Sequence, residues 1–212
     1  MIDTIMDENG QRSTDSAGAK GSARSTGSTG SAGYVSAVGS EDESAGHVEG
    51  NRGVVHRGFP PLCGCAPQVL ILGTFPSPLS REKNEYYGNP RNQFWRIMQF
   101  VYGEPFADVG YERRKAFLYA NGVAVWDVIK ECEADGALDS TIRNPVFNMD
   151  IPAFVADNGI GCVYFNGNNA YMFYKRGIGD IGKNVLPSSS PAYAAVSVDR
   201  KALFWREALK GR

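Results

Sequence analysis

Four short apolar runs divide the chain from residue 69 onward. They are VLILG (69–73), GVAVWDV (122–128), CVYFNG (162–167) and NVLPSSSP (184–191). The first three are continuous rather than alternating, which is typical of strands buried on both faces of a parallel sheet. The pattern therefore predicts four strands at the centre of the fold.

Segments with helical spacing lie between these runs. In NPRNQFWRIMQFVYG, Asn89 is the expected N-cap, Pro90 the first helical residue and Gly103 the stop, with Phe94 and Trp95 in the core. Four more helices are expected in GYERRKAFLYANG, NMDIPAFVADNG, GNNAYMFYKRG and VDRKALFWREALKG. Alternating strands and helices predict an α/β fold, a three-layer α/β/α sandwich around a four-stranded, mainly parallel sheet.

Composition separates this region from the first 50 residues. Residues 1–50 consist mostly of Gly, Ser, Thr and Ala and contain one aromatic residue, Tyr34. They cannot bury enough apolar area to offset the loss of chain entropy, so we expect a disordered tail at 1–50 and a single folded domain at 51–212.

Charge changes at the same boundary. Residues 1–50 carry three Lys/Arg and eight Asp/Glu, whereas residues 51–212 carry 19 basic and 15 acidic residues. The folded part is thus modestly basic, which permits a polyanionic partner without requiring one.

Cysteine usage and hydropathy exclude several classes of protein. Of the four cysteines only Cys63 and Cys65 are close in sequence, and both histidines precede the first strand, which is poor material for a zinc site. No secretory signal and no apolar run of about 20 residues is present. We therefore expect a reduced cytoplasmic protein, without a metal, a cofactor or a membrane partner.

In open parallel sheets the ligand crevice lies beyond the carboxyl ends of the strands. The residues that follow the four runs are mostly neutral hydrogen-bonding groups: Thr74, Phe75, Pro76, Ser77, Asp127, Asn166, Gly167, Pro187, Ser188, Ser189 and Ser190. No Ser-His-Asp set, P-loop or G-x-G-x-x-G follows a strand. The sequence therefore gives little support to a nucleotide triphosphatase or a dinucleotide-dependent dehydrogenase.

Four segments resemble the uracil-DNA glycosylase superfamily, and within it the hypoxanthine (deoxyinosine) branch. They are GFPP (58–61), LILGTFPSPLSREKNEYYGNPRNQFWRIM (70–98), VWDVI with LDSTIRN (125–129 and 138–144), and FNG with LPSSSPAYA (165–167 and 186–194). The long second segment is the specific one. The resemblance implies a uracil-DNA glycosylase-like fold and hydrolysis of the N-glycosidic bond of a deaminated base in DNA.

The resemblance also shows a departure at the first motif. Gly73-Thr74-Phe75-Pro76 places Phe75 where the superfamily usually has a catalytic Asn or Asp, and Leu186 replaces a His or Asn of the second motif. In the hypoxanthine branch the catalytic polar groups match Asn92 and Asn166. Asn92 would position water, and Asn166 would stabilise the departing base. For each, a local turn or helix-start hydrogen bond is the alternative.

The remaining implied site residues bind base and phosphate. Tyr87 would stack on the base, with Thr74, Phe75 and Asp127 completing the base pocket, and Pro187, Ser188, Ser189 and Ser190 would hold phosphates. Core packing of Tyr87, and an N-cap or an ion pair with Arg143 for Asp127, are the alternatives. A plain Ser-Pro turn is the alternative for the serine loop, and Arg81, Lys83, Arg91 and Lys183 are further candidate phosphate contacts.

Two functions remain open from sequence. The first is a monofunctional glycosylase, active as a monomer on DNA that contains hypoxanthine, with uracil and xanthine as further substrates. The second is a catalytically inactive module of the same fold that binds damaged or single-stranded DNA, which the loss of the first-motif Asn or Asp makes reasonable.

Overall fold

The structure is a computed structural model that describes residues 54–106, 109–136 and 138–211. The tail expected at residues 1–50 lies outside these ranges. None of the helices within them has both the length and the apolar character needed to cross a lipid bilayer.

The described residues form seven strands and six α-helices. The strands are β1 (Val55–Arg57), β2 (Val69–Gly73), β3 (Val123–Asp127), β4 (Ile129–Ala134), β5 (Ile142–Phe147), β6 (Cys162–Asn166) and β7 (Val185–Leu186). The helices are α1 (Pro78–Lys83), α2 (Phe94–Tyr102), α3 (Tyr111–Ala120), α4 (Ile151–Asp157), α5 (Asn168–Gly177) and α6 (Val198–Lys210). A 3₁₀-helix, Asp139–Thr141, connects β4 to β5.

The central sheet has the strand order β3-β2-β6-β7, and all neighbouring strands are parallel. Every residue of β2 and β3 is buried, as their continuous apolar sequences predict. The register pairs Gly73 with Asp127, so the two strands end side by side. β7 has only two residues, and the rest of the fourth apolar run forms a loop.

Alternate residues of the strands feed two separate cores. Val69 and Ile71 pack with α2, α3 and α6 on one face, whereas Leu70 and Leu72 pack with α4 and α5 on the other. Trp205 of α6 is fully buried in the first core. The sheet therefore has helices on both faces, which confirms the three-layer α/β/α fold class.

A second sheet was not expected from the sequence. β1, β4 and β5 pair antiparallel in the order β1-β4-β5. β4 (IKECEA) and β5 (IRNPVF) are only partly buried and have few apolar residues, so hydrophobic periodicity does not reveal them. The 3₁₀-helix between these strands lies next to the carboxyl ends of the central sheet, and this placement matters for the site.

The start predicted for α2, the helix in NPRNQFWRIMQFVYG, was wrong. α2 begins at Phe94 rather than at Asn89-Pro90, which form a turn. The Asn89 side-chain oxygen accepts a hydrogen bond from Arg91 N at 3.0 Å, and that of Asn92 accepts one from Phe94 N at 3.0 Å. Because side-chain oxygens satisfy these N–H groups locally, the chain makes turns there before the helix starts.

Candidate active site

A cavity of about 340 Å³ opens at the carboxyl ends of β2, β3 and β6. Nine of the ten residues proposed from the sequence line it: Thr74, Phe75, Tyr87, Asn92, Asp127, Asn166, Ser188, Ser189 and Ser190. Pro187 lines an adjoining recess of about 650 Å³ instead. There its carbonyl accepts a hydrogen bond from Trp205 Nε1 at 2.9 Å, which ties the loop to α6.

Asn166 is the hydrogen-bonding centre of the cavity. Its Nδ2 donates to Tyr87 Oη at 3.1 Å and to Ser189 Oγ at 2.8 Å, and its Oδ1 accepts from Ser189 N at 2.8 Å. Since a backbone N–H can only donate, the last bond fixes the orientation of the amide. Both N–H groups of Asn166 are therefore occupied by the protein.

Tyr87 occupies a strained backbone position. Its φ is 54°, in the left-handed region that bulky residues rarely adopt. The ring stacks on Phe94 with centroids 3.8 Å apart and planes inclined by 15°, while the hydroxyl contacts Asn166. Burial, with a smaller contribution from Asp127, raises the pKa of the Tyr87 hydroxyl well above its ordinary value, so the hydroxyl is neutral.

The serine loop is packed tightly against Gly167, the N-cap of α5. Gly167 has φ 96°, and a Cβ there would lie 2.8 Å from Ser188 Cβ, so this position requires glycine. Ser189 is fully buried, and its carbonyl accepts from Gln93 N at 2.9 Å. The loop is thus held between the start of α2 and the start of α5.

A buried lysine supports the same loop from α6. Lys201 is fully buried, and its Nζ donates to Gln93 Oε1 at 2.9 Å and to Tyr193 O at 2.6 Å. Burial lowers the pKa of this amine. Sequence reasoning missed Lys201, because a lysine in an amphipathic helix normally faces solvent.

Asp127 is buried at the end of β3, with 4% of its surface exposed. Its Oδ2 has no hydrogen-bond partner among the described residues. Burial, and then the neighbouring Asp139, raise the pKa of the Asp127 carboxyl from 3.8 to about 7. The predicted alternatives are not realised, because Val128 and β4 follow Asp127 and Arg143 is ion-paired with Asp135.

Asp139 is a further cavity residue that the sequence analysis did not identify. Its Oδ2 accepts from Thr74 Oγ1 at 2.9 Å and from Asn169 Nδ2 at 3.1 Å. It lies in LDSTIRN, one of the segments that carried the resemblance, but a lone carboxylate between strands has no distinguishing spacing. Only the fold of β4 and β5 brings it beside Thr74 and Asp127.

The other candidates are arranged around the cavity mouth. Phe75 is half-buried, and the Arg81 guanidinium lies 5.4 Å from its ring centre while donating to Pro76 O at 2.8 Å. Exposed Arg91 lines the cavity, whereas Lys83 lines a different recess and Lys183 lies over the Tyr171 ring. Within the described ranges, no three His, Cys, Asp or Glu side chains are grouped as metal ligands.

The geometry agrees with comparisons to known proteins. The sequence profile of the Uracil DNA glycosylase superfamily matches residues 60–210, which include every residue of the cavity. The chain belongs to the uracil DNA glycosylase superfamily. This confirms the resemblance noted from the four sequence segments.

Individual members of the superfamily are similar over most of their length. A protein named hypoxanthine DNA glycosylase from Methanosarcina acetivorans is 37% identical over 153 residues, 70% of this chain and 95% of the relative. Another of that name from Methanosarcina barkeri is 35% identical over 157 residues, 73% of this chain and 98% of the relative. The solution NMR structure of a candidate uracil DNA glycosylase from M. acetivorans superposes with a TM-score of 0.56 at 32% identity, over 74% of this chain and 99% of that one.

Proposed function

We propose that this member of the superfamily hydrolyses the N-glycosidic bond of hypoxanthine in DNA and leaves an abasic site. The observation that carries the proposal is the cavity at the sheet edge. The Tyr87 ring, the serine loop, two amides and two carboxyl groups converge there; the last four belong to Asn92, Asn166, Asp127 and Asp139. Both curated relatives are named for this activity. Uracil and xanthine are further candidate substrates.

Such an enzyme must first take the base out of the helix, which costs a few kcal/mol. Tyr87 can offer the ring face that is not stacked on Phe94 to the extruded base, and base stacking on an aromatic ring is worth about 1–3 kcal/mol. The Ser188–Ser190 loop and Arg91 lie at the same cavity and can contact phosphates without regard to sequence.

The role assigned to Asn92, which is to position the attacking water, does not require a strong base. If bond breaking to the base precedes water attack, the transition state resembles an oxocarbenium ion, and water needs to be positioned more than deprotonated. Asn92 lines the cavity, and the contact of its Oδ1 with Phe94 N orients the amide. Phe75, at the superfamily's usual catalytic position, cannot hold water in this way.

Asn166 acts mainly as a positioning residue in this proposal. Because both of its N–H groups bond to Tyr87 and Ser189, donation to a departing base requires that one of these bonds be released. Holding Tyr87 in its strained conformation and fixing the serine loop are therefore its first contributions. No lysine lines the cavity in the described residues, which favours a monofunctional enzyme without a Schiff-base intermediate.

The direct test is base release from duplexes that contain a single deoxyinosine, deoxyuridine or deoxyxanthosine, followed by alkali to cleave abasic sites. We expect alkali-dependent strand breaks with deoxyinosine. The absence of breaks on all three substrates would disprove the glycosylase proposal.

The proposal also includes action as a monomer in the cytoplasm, without metal or cofactor. Gel filtration tests whether the protein is a monomer, and an assay in the presence of a chelator tests whether it works without a metal.

Phe75 at the usual catalytic position favours one alternative, an inactive module that binds damaged or single-stranded DNA. Replacing Asn92 by alanine separates the two functions. An enzyme should lose base release by roughly 10²-fold or more while DNA affinity changes little. Asn158→Ala is the matched control, because Asn158 is an exposed asparagine that only caps α4.

A further inference from the structure

The Asp127 carboxyl is placed for a ligand rather than for a partner in the protein. It is nearly fully buried, it lines the cavity, and its Oδ2 has no hydrogen-bond partner among the described residues. Across the strand pair, a Cβ on Gly73 would collide with Asp127 Oδ1 and lie 3.5 Å from Tyr87 Oη. Glycine at position 73 therefore leaves the space that the carboxyl occupies.

The groups around Asp127 do not compensate the negative charge that its ionised carboxylate would carry. Asp139 faces it from the 3₁₀-helix, and Tyr86 and Tyr87 approach from the segment before α2. The exposed Arg91 lines the same cavity but is not ion-paired with Asp127, and Arg143 is bound to Asp135. Burial and a second carboxylate both disfavour the ionised form of the Asp127 carboxyl and raise its pKa to about 7, so a large share of the protein carries the neutral acid at neutral pH and nearly all of it does at pH 6.

A neutral carboxylic acid has a hydrogen-bonding pattern that a carboxylate lacks. It offers one O–H donor and one C=O acceptor side by side, like the amide of asparagine, whereas the ionised form only accepts. The Watson–Crick edge of hypoxanthine presents N1–H and O6 next to each other. The neutral acid can bond to both groups, but a carboxylate facing O6 would be repelled.

We propose that Asp127 binds the N1–H/O6 edge of the extruded base as a neutral carboxylic acid, and that Asp139 is a positioning residue that adds to the effect of burial in keeping it neutral. This inference rests on the proposed function, since it names how the same cavity holds its substrate. Asp139 itself is fixed by Thr74 and Asn169, so it does not need to touch the base. Uracil and xanthine present an equivalent adjacent N–H and C=O, so the same contact would serve them.

The test is the pH dependence of single-turnover base release from a deoxyinosine duplex, measured between about pH 5.5 and 8.5. The wild-type rate should fall by up to about tenfold per pH unit above the ionisation of Asp127. Asp127→Asn makes the donor and acceptor permanent, so its rate should exceed that of Asp127→Ala and should no longer fall in this pH range. Asp127→Ala should lose base release by roughly 10²-fold.

Asp139→Asn supplies the readout that separates positioning from a structural role. Removing the neighbouring negative charge lets Asp127 ionise more easily, so the fall in rate should begin at lower pH. Asp150→Asn is the matched control, because Asp150 is an exposed aspartate outside the cavity and should leave the profile unchanged. Circular dichroism and binding to the intact duplex show whether each variant is folded.

Each remaining outcome decides between the inference and the proposed function. No base release by wild type at any pH contradicts the proposed function. Base release with a flat profile, or the same alkaline fall in Asp127→Asn as in wild type, overturns only the neutral-acid inference. A folded Asp127→Asn that binds DNA but is as inactive as Asp127→Ala also overturns it, because an amide would then fail to replace the acid.

Discussion

Two residues of the cavity are unfavourable for the stability of the fold taken alone. Tyr87 has a left-handed backbone, which costs on the order of 1–3 kcal/mol for a bulky side chain. Asp127 is buried with an unsatisfied oxygen. The stack of Tyr87 on Phe94 and its bond to Asn166 hold the first residue in place, whereas in the described structure Asp127 has no comparable support.

Asp127 should make stability depend on pH. Its pKa in the folded state, about 7, lies above the ordinary 3.8, so the native state binds this proton more tightly than the unfolded state. The stabilisation is complete below about pH 4 and is lost as pH rises towards 7. Asp127→Asn should therefore raise the free energy of unfolding by roughly 2 kcal/mol more at pH 8 than at pH 5. Urea denaturation at both pH values measures this difference, and equal gains would contradict it.

At the scale of the elements, the site depends on parallel strands that end in register. Gly73 and Asp127 are direct neighbours across β2 and β3, and Asn166 ends β6 on the other side of β2. The loop after β7 then reaches Asn166 through Ser189. A small displacement at the end of one strand should therefore move the Asp127 carboxyl and the Asn166 amide, which line the cavity.

Gly73→Ala should abolish most base release without unfolding the protein. The new Cβ would meet the Asp127 carboxyl, which must then leave its position, whereas the strand backbone tolerates alanine. We expect a loss of about 10²-fold, the scale on which misplaced site groups reduce rates. Gly161→Ala is the matched control, since the nearest atom to its Cβ would be Gln68 O at 3.9 Å. Equal activity of the two variants would show that the position of Asp127 is unimportant.

At the scale of the whole molecule, the segment that matches the superfamily contains the buried residues of both cores found in the described part of the chain. The superfamily profile spans residues 60–210, and the relatives are matched over 95% and 98% of their own length by 70% and 73% of this chain. Residues 1–50 are predominantly small and polar, and from this composition we expect them to contribute little to a hydrophobic core.

Removal of residues 1–53 should leave base release from deoxyinosine duplexes within about twofold of the full chain, because the described residues from 54 onward already form the cavity and both cores. The comparison needs equal concentrations of the two proteins and the same duplex. A folded truncated protein that has lost base release would assign residues 1–53 to the active enzyme and contradict the tail hypothesis.

The sequence by itself determined the central strands, most helices and nine residues that meet at the cavity. The strands were found because buried parallel strands need continuous apolar runs, and seven of the nine residues because such strands carry their functional groups at one edge. Tyr87 and Asn92 came from the resemblance to the superfamily. The sequence failed at the start of α2, where asparagine side chains satisfy the backbone locally, and at β4 and β5, whose partly exposed residues show no clear period.

Only the tertiary structure decided how the site residues act on one another. Asp139 reaches Thr74 across 65 positions in the chain, Asn166 reaches Tyr87 across 79, and Lys201 reaches Gln93 across 108. Contacts so distant in sequence leave no periodic signal. The protonation of Asp127 likewise follows from burial and from a neighbouring carboxylate, two properties that exist only once the chain is folded.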